Sequence, residues 1–215
     1  MIKLYGYWRS TAAYRVRMAL NLKQISYSQV SVNLVKDGGE QHKPEYRAVN
    51  PQGLVPTLVD GNIEIGQSLA ILEYLEERYT QVPLLPEKPF MRATVRQLAN
   101  TIACDVHPLN NLRVLQYLSN ELGVADADKT KWYHHWLFLG FSAFEKTLQK
   151  HQFDGPYSIG TELSMADACL IPQIYNANRF EYPMDNHPLL QRINENCLKL
   201  TRVQDATPES QPDAR

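Results

Sequence analysis

Residues 50–68 read NPQGLVPTLVDGNIEIGQS, and the order of signals in this stretch decides how the first part of the chain folds. Thr57–Val59 and Ile63–Ile65 are short β-prone runs, and Asp60-Gly61-Asn62 between them reads as a hairpin turn, because Gly and Asn tolerate positive φ. Val55-Pro56 stands immediately before the first of these strands. A proline is tolerated at the first residue of a strand, and a cis bond there turns the preceding backbone outward. The amide and carbonyl of Val55 are then open to an extended peptide, as an added strand would use them. An ordinary turn proline gives the same letters. Gln67-Ser68 opens the next helical pattern, carried by Leu69, Leu72, Leu75 and Tyr79. Ser68 is a natural N-cap, and the free amides of a helix start attract carboxylates or phosphates. A plain cap without a ligand uses the same residue.

Upstream, Ile2–Tyr5 and Tyr27–Val32 are further β-prone runs. Between them Ala12, Val16, Ala19 and Leu20 recur at helical spacing, with Arg15, Arg17 and Asn21 on the other face. Strand, helix and strand in this order predict a βαβ unit with a parallel pair. Lys36–Asn50 is polar, carries Gly38-Gly39, and reads as loop plus a short helix. Trp8-Arg9-Ser10-Thr11-Ala12 lies in the turn that opens the first helix. A hydroxyl there can donate to an anion held by the helix dipole, and a thiolate so held would have its pKa lowered. A Ser10 that merely caps the helix, and an Arg9 that is a solvated surface charge, fit the same residues.

Downstream the pattern changes. Pro83, Pro86 and Pro89 fall in the linker-like segment Gln81–Phe90, and beyond it the patterns are helical with no convincing strand. Trp132, Trp136, Leu139 and Ala143 form a stripe on a helix over about 126–149, a packing surface rather than a cofactor box. Ser164-Met165-Ala166-Asp167 is a capping box with Asp in place of Glu, so it nucleates a helix running to about Ala177 and makes Asp167 structural. The polar tail 207–215 is expected to be disordered.

The chain has 215 residues, 44% of them hydrophobic and 21% charged, a globular balance that allows one large domain or two compact ones. The proline cluster decides for two: an α/β domain over residues 1–81 and an all-helical domain over 88–206. Twenty-two Lys+Arg against 23 Asp+Glu leave a formal charge of −1, which offers no basic field for nucleic acid or anionic lipid. No apolar run has membrane-spanning length and no signal peptide precedes the first strand, so a cytoplasmic location is expected. Cys104, Cys169 and Cys197 lack CxxC spacing and read as reduced core thiols. His134 and His135 are adjacent and point about 100° apart on a helix, while His151 and His187 have no partner at ligand spacing. No metal site is expected.

Taken together, the turn at 8–17 (WRSTAAYRVR), Asn50–Pro56 and Gln67–Ile71 resemble the glutathione-binding, thioredoxin-like domain of glutathione transferases, and of the zeta class in particular. His107–Arg113 (HPLNNLR) and Arg179 extend the resemblance into the helical half, so that it covers residues 1–205. It implies glutathione as cofactor and a homodimer. It also implies an activity: cis–trans isomerisation of maleylacetoacetate, in tyrosine and phenylalanine catabolism, by reversible thiolate addition. Maleylpyruvate isomerisation, transfer to small halo acids and a non-catalytic binding protein of the same plan remain open. The resemblance further implies that Ser10 holds the glutathione sulfur as thiolate, with Thr11 and Ala12 continuing the loop around it. The class commonly has Ser-Ser-Cys here, so Ala12 removes a thiol. Val55 would pair with the cysteinyl part, Gln67 and Ser68 with the γ-glutamyl end, and Gln41 with His42 would approach the glycyl end. His107, Asn111 and Arg113 would reach the same cleft. Arg9 and Arg179 are the candidate clamps for a diacid, because a guanidinium pairs bidentately with carboxylates. Arg15 and Arg17 are read as structural or interfacial.

Overall fold

The computed structural model describes residues 1–214, which form two compact units: Met1–Leu84 together with the segment from Leu198 onward, and Leu85–Cys197. The first unit is built on a four-stranded sheet in the order β2-β1-β3-β4. Strand β1 (Ile2–Gly6) leads into helix α1 (Thr11–Leu22), which crosses to β2 (Tyr27–Ser31), parallel to β1. Two single 3₁₀ turns and the short α2 (Pro44–Val49) follow, as the weak periodicity of 36–50 predicts. Strands β3 (Thr57–Asp60) and β4 (Ile63–Gly66) form the expected hairpin, with Gly61 at φ 62° in its turn, and α3 (Ser68–Arg78) completes a thioredoxin-like arrangement. Leu4 and Leu58 from the sheet, Val16 and Leu20 from α1, and Ile71, Leu72 and Leu75 from α3 are buried together. Burial of each such side chain contributes about 1.5–3 kcal/mol.

Arg15 and Arg17, opposite the apolar stripe of α1, are 1% and 0% exposed, which fits a structural role and leaves no solvated arginine face on this helix. Both guanidiniums have hydrogen-bond acceptors, which makes their burial tolerable. The part of the tail that is described, residues 207–214, is ordered, and the helical half does not run to residue 206. Helix α9 (Thr201–Gln204) and a 3₁₀ turn at Pro208–Ser210 pack on the sheet unit, with Val203, Ala206, Pro208 and Gln211 buried. Polar composition suggested disorder, but the Asp213 carboxylate accepts from Trp8 and Gln29 and Ala206 O accepts from Arg17, which fixes the tail to distant parts of the chain.

The second unit is helical. It comprises α4 (Pro89–Asn100), a wide π-helical turn at Thr101–Val106, α5 (Leu112–Asn120), α6 (Asp126–Lys150), α7 (Met165–Arg179) and α8 (Pro188–Leu198). Helix α6 buries Tyr133, Leu137, Gly140, Phe141, Phe144 and Leu148, not the predicted stripe; Leu139 is 46% exposed and Ala143 is exposed. Gly140 explains the rotation, since a Cβ there would run into the Val106 side chain and glycine lets the two segments touch. Ser164 caps α7 with the reciprocal Asp167 bond of a capping box, as read from sequence. Cys169 and Cys197 are core thiols, but Cys104, on the π turn, is exposed. Among the described residues no helix is long and apolar enough to cross a membrane.

Candidate active site

Sheet register brings three connections to one end of the first unit. Tyr5 near the end of β1 pairs with Thr57 at the start of β3, and Thr57 pairs with Gly66 at the end of β4. The 7–10 turn, Val55-Pro56 and Gln67-Ser68 therefore emerge side by side, at the end of the sheet where helices α1 and α3 begin.

Ser10 is the N-cap of α1, with φ −69° and ψ 116°. Its Oγ accepts from the Ala13 amide at 3.2 Å, and its own amide donates to Tyr7 O at 2.9 Å. A hydroxyl has one proton to donate, and among the described residues that of Ser10 has no acceptor. Accepting from Ala13 polarises the O–H, and the positive end of α1 favours an anion beside it. Thr11, the first helical residue, is buried, whereas Ala12 is half-buried and offers only a methyl. Arg9 is exposed, its guanidinium 4.4 Å from the Trp8 ring centroid. This cation–π contact holds the charge at the turn without neutralising it.

The Val55–Pro56 bond is cis. Among the described residues no hydrogen-bond partner is found for the Val55 amide or carbonyl, which leaves one strand-like pair of groups open. The residues that brace it were missed in the sequence. Asn50 Nδ2 donates to Leu54 O at 2.8 Å and to Thr57 Oγ1 at 3.0 Å, and Tyr46 OH donates to Leu54 O at 2.6 Å. Burial pushes the Tyr46 phenol up, so it stays protonated and a donor. Gly53, at φ 64°, turns the chain where a side chain would meet Gln41 O at 3.0 Å. Gln41 is half-buried with Nε2 3.0 Å from His42 Nε2, so these two neighbours act as one polar edge.

At α3 the expected cap is displaced by one residue. Gln67 occupies the N-cap at φ 63° and ψ 112°, with no side-chain cap bond, and Ser68 is the first helical residue. A non-glycine residue held at positive φ costs on the order of 1–3 kcal/mol and is typical of ligand clamps. Exposed Gln67 donates to Gln52 Oε1 at 2.7 Å. Ser68 is buried, and its Oγ accepts from Arg15 Nη1 at 3.2 Å. Arg15 thus brings a buried positive charge to the start of α3, next to amides that no helical carbonyl can satisfy. Only its position in an arginine-rich helix hinted at this in the sequence.

In the helical unit, the π turn ends at His107, whose amide reaches back to Ile102 O at 2.9 Å. Such turns often mark functional segments. Asn111 lies 3.4 Å from His107 through Nδ2 and caps α5 by accepting the Arg113 amide at 3.2 Å, so its carbonyl is committed to the fold. Trp132 Nε1 and Asn110 Nδ2 donate to Leu109 O and Tyr133 O, at 2.9 and 3.1 Å, and pin this segment to α6. Arg113 is exposed. Arg179, also exposed, ends α7 and donates to Asn176 Oδ1 at 2.9 Å, while Asn176 donates to Tyr133 OH at 2.7 Å. His134 and His187 bond to Phe180 O and Tyr182 OH and read as packing residues.

Residues 4–83 match the family model for the glutathione S-transferase N-terminal domain. The chain is 50% identical over 211 residues to a probable maleylacetoacetate isomerase of Vibrio cholerae serotype O1, covering 98% of this chain and 97% of that protein. Among solved structures, a maleyl pyruvate isomerase described as a bacterial zeta-class glutathione S-transferase superposes with a TM-score of 0.96, at 40% identity over 99% of this chain and 100% of that one. A maleylacetoacetate isomerase from Methylobacterium extorquens AM1, solved with malonate and glutathione bound, gives a TM-score of 0.93 at 43% identity over 99% of each chain. With a thioredoxin-like sheet, two helix starts presented at one end of it and relatives matched along their whole length, the chain belongs to the zeta class of the glutathione S-transferase family.

Proposed function

We propose that this protein is a glutathione-dependent cis–trans isomerase converting maleylacetoacetate to fumarylacetoacetate. The observation that carries the reading is Ser10: a helix-capping hydroxyl that accepts from the Ala13 amide and whose proton is uncommitted among the described residues, in a chain 50% identical to a probable maleylacetoacetate isomerase. The residues of the first unit fit glutathione in chemistry. The open backbone pair of Val55 suits its peptide, and the α3 start with Gln67, Ser68 and Arg15 suits its γ-glutamyl carboxylate. Gln41 with His42 suits the glycyl end. When bound, glutathione supplies the thiol whose anion adds to the conjugated double bond and leaves again once rotation has occurred.

The chain's own residues do the rest. The Ser10 O–H donates to the sulfur and, with the dipole of α1, keeps its proton off near neutral pH. Thr11 is assigned a supporting role at the same helix start. Arg9 and Arg179 are assigned to the carboxylates of the diacid, whose charge the net −1 of the chain does not otherwise attract. His107, Asn111 and Arg113 are assigned to glutathione on the resemblance of their segment. Replacing Arg9 or Arg179 by Ala raises KM for the diacid about tenfold and changes kcat less; steady-state kinetics unchanged in both variants would remove the clamp assignment.

A second reading is favoured by the 0.96 superposition on the maleyl pyruvate isomerase: the same chemistry on maleylpyruvate. Assaying both diacids side by side, with and without glutathione, separates the two. We expect turnover only with glutathione and higher kcat/KM on maleylacetoacetate. Turnover without glutathione, or on neither diacid, overturns the isomerase reading, and glutathione binding without turnover points to a binding protein. We further propose a cytoplasmic location, with which the free thiols of Cys169 and Cys197 agree, and a homodimer, which rests on the family resemblance and is checked by sedimentation.

A further inference from the structure

The last residues of the chain reach the turn that presents Ser10. Trp8, two residues before Ser10, has both of its backbone groups taken. Its amide donates to Asp213 Oδ2 at 3.1 Å, and its carbonyl accepts from Arg17 Nη2 at 2.9 Å. Asp213 is itself held by β2: Gln29 Nε2 donates to Oδ1 at 2.8 Å and Ser31 Oγ donates to Oδ2 at 2.9 Å. Arg17, fully buried, ties the same two segments from the other side, since its Nε donates to Ala206 O at 3.0 Å. Gln211 closes the tail on itself by donating to Asp205 O and Thr207 O, at 3.0 and 2.7 Å. A polar, proline-containing end of this kind orders only where specific contacts offset the lost backbone freedom. Here Asp213 takes the amide of Trp8 and Arg17 its carbonyl, so the two peptide groups that flank Trp8 in the 7–10 turn are both held.

We propose that the C-terminal segment 205–214 is a strut for the catalytic turn, with Asp213 and Arg17 as positioning residues that set where the Ser10 hydroxyl and the Arg9 guanidinium point. The assignment of a reaction to that turn rests on the isomerase reading; the strut itself does not. Neither residue needs to touch a ligand. They clamp Trp8, and Ser10 is tied to the same turn through its amide on Tyr7 O. A carboxylate acceptor is sufficient without its charge. Asn at position 213 keeps an oxygen for Trp8 and Ser31, and Gln29 can turn its amide to meet the new NH2, because its Oε1 has no other partner among the described residues.

The test compares Asp213→Ala with Asp213→Asn in the full chain by amide hydrogen exchange without ligand, then by kinetics. Asp213→Ala should speed exchange of the amides of residues 8–13 about tenfold and leave the helical unit unchanged, the loss of one half-buried charged acceptor being of that size. It should lower kcat about tenfold with a smaller change in the KM for glutathione, as misplacement of a reacting group does. Asp213→Asn should restore both. Unchanged exchange in Asp213→Ala overturns the strut, whatever the isomerase assay gives. Faster exchange with wild-type kcat overturns positioning, and so does an Asp213→Asn as impaired as the Ala variant. A wild type without glutathione-dependent turnover refutes the isomerase reading and leaves the exchange result to decide the strut. If Asp213→Ala does not fold, the exposed change Ser31→Ala should still speed exchange of the turn about twofold, and a flat profile there counts against the proposal.

Discussion

Ser10→Ala lowers kcat by about two orders of magnitude and leaves glutathione affinity within about threefold, the size seen when one preorganised donor to a reacting anion is removed. The split follows from what the hydroxyl touches. The backbone of Val55, the start of α3 and Gln41 are assigned to the length of glutathione, and none of them changes in the variant. Only the proton aimed at the sulfur is lost, so the bound thiol is ionised less at neutral pH while its carrier still binds. Ser10→Thr keeps the O–H and should recover most of the loss. The kinetic measurement must be made on folded protein, because Ser10 also caps α1 through Ala13, and its removal costs about 1 kcal/mol in stability. Steady-state kinetics with calorimetric titration of glutathione checks both halves. Wild-type kcat in Ser10→Ala would sink the thiolate assignment, and an equal loss in affinity and turnover would make Ser10 a binding residue only.

What could be read from the letters was what depends on near neighbours. The hairpin at 57–66, the parallel crossover through α1 and the Ser164 cap each rest on residues within a few positions of one another, and their signals are periodic or turn-specific. The three connections at one end of the sheet follow from that topology once register is known. What could not be read depends on long separations. Arg15 and Arg17 look like a polar helix face until their acceptors arrive from Ser68, Trp8 and Ala206. Asp213 looks like part of a solvated tail until it meets Trp8, 205 positions away. The stripe on α6 was misread by one position because the two tryptophans draw the eye, while the close approach of Val106 to Gly140 sets which face is covered. Cys104 is exposed because it sits on the π turn, an irregularity that no hydrophobic period announces.

Asp167→Ala should be the most destabilising single change in the helical unit, at about 3–5 kcal/mol. Its carboxylate is fully buried and accepts from the Ser158 amide at 2.8 Å, the Ser164 amide at 2.9 Å and the Ser164 hydroxyl at 2.9 Å. Alanine leaves all three donors facing a cavity, and each buried unsatisfied group costs about 1–3 kcal/mol. The loss reaches beyond the start of α7, since Ser158 belongs to the segment between α6 and α7 and is itself 0% exposed. For a protein of this size, the midpoint of thermal unfolding should fall by roughly 10 °C. Asp167→Asn keeps one acceptor oxygen but turns an NH2 toward the remaining donors, so it should fall between the two. Urea unfolding of the three proteins checks the order, and an Asp167→Ala that melts with the wild type refutes the capping account. None of these bonds involves a residue of the Ser10 turn, so kcat per folded molecule should stay within about twofold, as for sites that share no partner. A fall in kcat without a fall in stability would instead place Asp167 in the reaction.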